Sequence, residues 1–178
     1  MTEEEFAKLR ALASERNFSD QIGFLLYWVH RRGSRALNEA LAPLGIELRH
    51  MRILGVITLA GPQTQRQLIE MLDVDKSSMV YLIDTLEELG LAKREPAAGD
   101  RRAHAISITQ AGAARLSESR KAIKSVNEKR YGVLSASEQD QLRNMLWRVL
   151  ETEGDATSDS ELNQFLRLKS KLTKGPQP

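Results

Sequence analysis

Residues 62–109 place two helix-start signatures close together and then change hydrophobic period, a combination that few folds accommodate. Thr64 stands three residues ahead of Gln67. In that capping box the threonine oxygen accepts the Gln67 N–H, and the Gln67 amide accepts a bond in return. Leu68, Ile69 and Leu72 form a short apolar stripe, broken at Asp73-Val74. Asp75 then caps a second helix whose apolar positions, Met79, Leu82, Ile83, Leu86 and Leu89, recur at helical spacing. Gly90 stands where a left-handed residue ends it. Two short helices across a tight turn make a helix-turn-helix, whose second helix is the one that lies in a DNA major groove.

Past Gly90 the pattern becomes that of strands. Leu91–Glu95 and Ala103–Thr109 read as two short strands, the second alternating Ala105 and Ser107 with Ile106 and Ile108. Pro96–Arg102 between them reads as a polar, turn-rich loop. A helix-turn-helix followed by a hairpin with basic residues at strand and tip is a winged helix. The expected fold is therefore mainly α with a small β-hairpin wing. Two uses of that fold stay open: binding duplex DNA, and docking a protein partner without specific DNA binding. Charge does not separate them. Residues 62–109 hold six Lys/Arg (66, 76, 93, 94, 101, 102) against eight Asp/Glu (70, 73, 75, 84, 87, 88, 95, 100), a net of −2. The basic footprint of a nucleic-acid binder has to come from local placement rather than bulk charge.

The flanks read as helical. At 178 residues the chain suits one domain with helical extensions, and 41% apolar content is enough for a core. A short helix is expected over 2–16. Ser19-Asp20 would cap a longer one running to about Leu41, whose opening from Ile22 to Val29 is apolar on every side. Such a helix needs cover on more than one face, which points to a dimer interface, with a buried core helix as the alternative. Pro43-Leu44-Gly45 ends it, and a supporting helix spans Glu47–Leu59. Thr109 caps a helix from Gln110 to about Gly132, and Ser135 with Glu138 makes a second capping box that opens another. Glu151–Ser160 reads as an acidic linker and Glu161–Lys174 as a weakly amphipathic helix. The resulting divisions are 1–45, 46–109, 110–150 and 151–178: N-terminal dimerisation helices, winged helix, C-terminal dimerisation helices, and linker with tail.

Other function classes find little support. The histidines (30, 50, 104) are scattered, with no His-x-x-x-His, no Gly-rich phosphate loop and no nucleophile elbow, so neither an enzyme nor a metal or cofactor site is expected. No apolar run approaches the ~20 residues that span a bilayer. The acidic N-terminus lacks the layout of a secretory signal, so a cytoplasmic protein is expected. The chain has no cysteine, which removes disulfides and thiol-based sensing.

An ordered set of motifs between about Ile46 and Leu150 resembles the MarR family of bacterial transcription regulators. The set comprises Thr-Gln-x-x-Leu from Thr64, Asp-Lys-Ser-Ser from Asp75, and Ile-Asp-x-Leu-Glu-x-x-Gly-Leu from Ile83 to Leu91. It continues with Asp100-Arg101-Arg102, Ile-x-Ile-Thr-x-x-Gly ending at Gly112, and Leu-Ser-x-x-Glu from Leu134 to Glu138. The resemblance implies a homodimer with interlocked terminal helices, two recognition helices on a pseudo-palindromic duplex, and repression relieved by a small aromatic or phenolic acid. It also implies that Asp100 holds the wing while Arg102, with Arg101 and Arg94, serves DNA; a narrow minor groove attracts arginine through its negative potential.

On the recognition helix, Lys76 suits phosphate, Ser77 and Ser78 suit phosphate or base edges, and Val80 suits a thymine methyl. Tyr81 departs from the basic residue that many family members carry there. Thr64 and Gln65, which open the first helix of the motif, are expected to contact DNA as well. For an effector, Trp28 would supply stacking, and His30, Arg31, Arg49 and His50 would supply anion pairing.

Overall fold

The computed structural model describes residues 18–97 and 100–153 together with Glu4 and Ala7, and among them the side chains of 22–96 and 104–151. In chain order the elements are α1 (Phe18–Leu41), a 3-10 turn (Ala42–Leu44), α2 (Leu48–Ala60), β1 (Gln63–Thr64), α3 (Gln65–Leu72) and α4 (Lys76–Glu88). They continue with β2 (Ala92–Ala97), β3 (Asp100–Ile108), α5 (Gln110–Tyr131) and α6 (Ala136–Glu153). The fold is mainly helical with one small antiparallel sheet, ordered β1-β3-β2. Apart from Glu4 and Ala7, which are helical, the helix expected over 2–16 lies outside the described residues, as does the one expected over 161–174.

Local signals set the helix boundaries. The Gln67 N–H donates to Thr64 Oγ1 at 3.3 Å, and Gln67 Oε1 accepts the Thr64 N–H at 2.8 Å, so both halves of the α3 box form. Asp75 Oδ1 accepts the Ser78 N–H at 2.9 Å and starts α4. At the other end of α4, Gly90 has φ +66°, its N–H donates to Glu87 O at 2.8 Å, and the Leu91 N–H donates to Leu86 O at 2.8 Å. That pair of bonds is a Schellman ending, and it requires the left-handed backbone that glycine adopts without steric cost. Thr109 Oγ1 accepts the Gly112 N–H at 3.0 Å, and Ser135 Oγ accepts the Glu138 N–H at 3.3 Å, starting α5 and α6. Each such cap is worth about 1 kcal/mol.

Some boundaries differ from the sequence reading. α1 begins at Phe18, which puts Ser19 and Asp20 in its first turn instead of at its cap, a place an acidic residue also favours beside the helix dipole. α6 runs on through Glu151–Glu153, because nothing with a stop character precedes Gly154; the remainder of the expected linker lies outside the described residues. The wing strands extend well into the stretch read as a loop. β2 continues through Pro96 and Ala97, and β3 starts at Asp100, with Pro96 opposite His104 and an irregular step between Pro96 and Ala97. Proline is tolerated because β2 is an edge strand, whose outer side needs no N–H donor. Arg101 and Arg102 therefore stand on strand β3. The third strand, β1, is only two residues long and pairs Gln63 with Ile106 and Thr64 with Ala105.

The core lies where α2, α3 and α4 meet the sheet and the start of α5. Ile53, Leu54, Leu68, Met79, Ile83, Leu86, Leu91, Ile106 and Leu116 are nearly or fully buried there. Gly112 allows α5 to approach closely: a Cβ at that position would fall onto the Leu91 carbonyl oxygen and within 2.9 Å of Ile108 Cγ1. Among the described residues no helix is long and apolar enough to cross a membrane.

An unexpected cap sits at the start of α2. His50 is 4% exposed, and its Nδ1 accepts the Glu47 N–H at 3.1 Å. An imidazole accepting there is neutral and carries its proton on Nε2, which is buried with no partner. Burial pushes the His50 pKa below its ordinary 6.5, against a weaker upward pull from Glu47. The unfolded chain thus takes up a proton that the folded chain resists. The associated stability is fully present above about pH 6.5 and is lost as pH falls towards the lowered folded-state value. His50→Gln, which keeps an acceptor for the Glu47 N–H, should flatten the fall in Tm between about pH 7 and 5. Parallel Tm profiles for the two proteins would remove His50 from the acid response.

Candidate nucleic-acid interface

The inner face of α4 is committed to the core through Met79, Leu82, Ile83 and Leu86. Its periodicity therefore turns Lys76, Ser77, Val80 and Tyr81 outward. Val80 is 37% exposed and Tyr81 67%, and Lys76 is exposed with no ion-pair partner among the described residues. At the helix start the Asp75 carboxylate is held far below the usual carboxylate range, first by the Ser77 hydroxyl (2.6 Å) and then by Ser78. Ser77 Oγ is committed as a donor to Asp75 and keeps its acceptor capacity. Ser78, half-buried, gives its N–H to the same oxygen. On α3, the Thr64 hydroxyl is used in the capping box, Gln65 is half-buried, and Arg66 pairs with Glu70 at 2.8 Å.

Arg94 has a different role from the one the sequence suggested. Its guanidinium donates to Asp84 Oδ1 at 2.6 Å and to Glu87 Oε2, while its backbone N–H donates to Glu87 Oε1 at 2.7 Å. Asp84 and Glu87 lie one turn apart on α4, so a single arginine of β2 bridges the recognition helix to the wing. A side chain holding two carboxylates is not free for phosphate; Arg94 positions the two elements relative to each other. Of the other wing residues, Asp100, Arg101 and Arg102 lie at the start of β3, the strand that pairs with β2.

The five residues assigned to an effector do not converge. Trp28 is half-buried on α1, edge-on to Phe24 and Tyr27 with centroids 6.2 and 5.7 Å away, and its Nε1 is buried without a partner. Arg31 lies 5.4 Å from the centroid of the Trp28 ring and donates to the Tyr27 hydroxyl at 2.9 Å, and His30 is exposed beside them. On α2, His50 is consumed as a cap, and Arg49 is exposed over a crevice formed with Leu72, Val74 and Leu82.

A cleft of about 550 Å³ opens elsewhere, between α2, the second half of α5 and the start of α6. Met51, Arg120, Ile123, Lys124, Asn127 and Tyr131 are among its walls. None of these residues is among those the sequence assigned to an effector. The available signal was the four-residue spacing of Ile123, Asn127 and Tyr131, which aligns them along one side of α5. Among the described residues no group of three potential metal ligands forms.

With this geometry in place, comparison with known proteins shows what the chain is similar to. A family model described as MarR family matches residues 44–103. A transcriptional regulator (MarR family) from Rhodococcus sp. RHA1 superposes with a TM-score of 0.66 at 27% identity, covering 76% of this chain and 97% of that one. The chain is similar to the MarR family across its winged helix. Its fold also matches a point mutant of MarR from E. coli complexed with operator DNA (TM-score 0.65, 27% identity, 76% and 99% coverage). CouR from Rhodococcus jostii RHA1 bound to p-coumaroyl-CoA is similar as well (TM-score 0.63, 28% identity, 76% and 95% coverage). The multiple antibiotic resistance protein MarR of Salmonella typhimurium is 33% identical over 93 residues, which are 52% of this chain and 65% of that relative. The match therefore spans just under two thirds of the length of that curated protein.

The clamp makes a stability prediction for this chain. Arg94→Met should cost on the order of 1–2 kcal/mol, because two partly buried carboxylates lose their counter-charge. A double-mutant cycle with Glu87→Gln, read by urea denaturation, should give a coupling of about 1 kcal/mol. Strictly additive losses would show that the two side chains do not act together.

Proposed function

We propose that the chain is a homodimeric, DNA-binding transcriptional regulator of the cytoplasm, a repressor released by a small-molecule ligand. The observation that carries this reading is the outward face of α4. Val80 and Tyr81 stand exposed in mid-helix beside the unpaired Lys76, where apolar side chains contribute nothing to the core. A valine methyl suits a thymine methyl, the tyrosine hydroxyl can donate to or accept from base edges or phosphate, and the helix N-terminus favours an anion. Arg101 and Arg102, at the wing end of β3, suit the adjacent minor groove. The complex of a MarR mutant with operator DNA supports the same use of this fold. The proposal contains no catalytic step.

Dimerisation is supported by apolar surface that the single chain leaves uncovered. Phe24, Leu25, Tyr27 and Val29 on α1, and Met145, Val149 and Leu150 on α6, are each 39–54% exposed. An amphipathic helix inside one folded chain would bury such residues; exposed in groups, they call for a second protomer. Two recognition helices would then meet half-sites about one helical turn, ~34 Å, apart. The ligand proposal moves from the sequence-assigned residues to the cleft beside α5. Arg120 there can pair with a carboxylate, Lys124 being paired with Glu128 at 3.7 Å, and Ile123 and Tyr131 offer apolar and aromatic walls to an aromatic or phenolic acid. CouR with its bound p-coumaroyl-CoA is a related fold holding an aromatic acyl ligand.

The alternative of a protein-docking winged helix rests on the net −2 charge of residues 62–109. Fluorescence anisotropy separates the two on duplex DNA from upstream of the gene, against scrambled duplex, over a salt series. A DNA-binding regulator should prefer the upstream duplex and weaken steeply with salt. Tyr81→Ala should narrow the preference between duplexes, while Arg102→Ala should weaken both about equally. No binding at low salt would transfer the case to the docking module.

The dimer has its own test. Leu25→Glu should shift the sedimentation coefficient to that of a monomer or leave the protein insoluble, and a soluble dimer with unaltered sedimentation would place the interface elsewhere.

A further inference from the structure

The winged helix has six basic residues with described side chains between 46 and 96: Arg49, Arg52, Arg66, Lys76, Lys93 and Arg94. Three are neutralised in place. Arg66 pairs with Glu70 at 2.8 Å, Lys93 with Glu95 at 2.9 Å, and Arg94 with Asp84 and Glu87. The other three, Arg49, Arg52 and Lys76, are exposed and form no ion pair or side-chain hydrogen bond among the described residues. These three share a location. Arg49 and Arg52 lie one turn apart on α2, on the side that buries Ile53, and line one crevice with Leu72 and Val74 of the helix-turn-helix turn and Leu82 of α4. Lys76 begins α4 two residues after Val74. Unpaired positive charge on an otherwise acidic unit is thus gathered around the turn that delivers the recognition helix.

We propose that Arg49 and Arg52 grip the phosphate backbone of duplex DNA at the edge of the groove entered by α4, extending the contact begun by Lys76. This rests on the DNA-binding reading above. Phosphate is favoured over bases because the two arginines come from the supporting helix, and α4 itself occupies the groove; scaffold residues beside a recognition helix reach the backbone. A small anionic ligand is disfavoured because the crevice beneath them encloses essentially no free volume. Leu72 and Val74 line the crevice beside the two exposed arginines, an apolar surface along which aliphatic stems can lie with their charged ends in water. The neighbouring carboxylates do not cancel the charge. Asp75 is turned into its own helix start, and neither Glu47 nor Asp73 pairs with either arginine.

The test is the salt dependence of affinity, measured on full-length protein with the upstream duplex. Each lost phosphate contact lowers the slope of log K against log[salt] by about 0.9. The Arg49→Gln/Arg52→Gln double variant should therefore flatten it by roughly 2, or roughly 4 when two protomers occupy the duplex. At the smaller figure, wild type loses about twelvefold more affinity than the variant between 50 and 200 mM salt. The preference for native over scrambled duplex should be unchanged, and Arg49→Lys/Arg52→Lys should keep the wild-type slope. Arg143→Gln, which breaks only the exposed pair with Asp140 on α6, serves as the charge control and should also keep it. A wild-type slope in the glutamine variant, or a lowered slope in the Arg143 control of equal size, overturns the grip while leaving DNA binding intact. Absence of salt-sensitive binding in the wild type overturns the underlying reading instead.

Discussion

A single hydroxyl, that of Thr109, joins the DNA-facing part of the molecule to the rest. It accepts the Gly112 N–H at 3.0 Å, starting α5, and donates to the Gly90 carbonyl at 2.7 Å, just past the end of α4. The Thr109 N–H closes the same junction by donating to Leu91 O at 3.1 Å. The end of the recognition helix, the end of β3 and the beginning of α5 thus converge on two adjacent carbonyls. Gly112 has to lack a Cβ because the Leu91 carbonyl occupies the space one would fill. Any tilt of α5 strains bonds that also join it to the end of α4, so the long helix and the recognition helix move together or lose hydrogen bonds.

The Arg94 bridge adds the second fixed relation, between α4 and the wing, and it also explains the charge balance. Two of the eight acidic residues in 62–109 pair with that one arginine, while Asp75 stays ionised and hydrogen-bonded to its own helix start. Glu70 and Glu95 are paired as well. The net of −2 is therefore a poor guide to the field outside the protein. Carboxylates in the interior of an ion pair contribute little at a Debye length, whereas the unpaired Lys76, Arg49 and Arg52 contribute fully. Bulk charge counts residues; a polyanion responds to what remains after the protein has neutralised itself.

Features governed by local chemistry were legible in the sequence. Thr64, Asp75, Thr109 and Ser135 cap helices as their side chains and spacing require, and Gly90 ends α4 in the left-handed region that its position demanded. Features governed by tertiary pairing were not. β1 is too short to alternate, and Pro96 looks like a loop residue until the edge position of β2 is known. The role of Arg94 depends on Asp84 and Glu87 meeting it across ten and seven residues. His50 looked like a ligand-binding side chain because a histidine at the third position of a capping box carries no distinctive spacing. The place of Arg49 beside the turn was hidden for a similar reason: which side of α2 faces the turn depends on the packing of Ile53 against Leu72 and Leu82.

Helix α2 is where these misreadings meet, because its successive residues serve different surfaces. Arg49 and Arg52 lie over the helix-turn-helix turn, His50 is buried in the cap between them, and Met51 forms part of the 550 Å³ cleft against α5. A helix of 13 residues capped at its start and packed through Ile53, Leu54 and Ile57 behaves as one rigid body. On the proposed ligand-released function, pressure on Met51 from the cleft would pass to the arginines as a rotation or shift of the whole helix. The opposite wall of the cleft is α5, tied through Thr109 to the end of α4. A molecule that widened the cleft would separate these two helices, and the displacement required would be small because charge-assisted contacts to phosphate tolerate little change in position. Coupling between the cleft and the groove thus needs no segment to unfold and no long relay, only the shared use of one short helix.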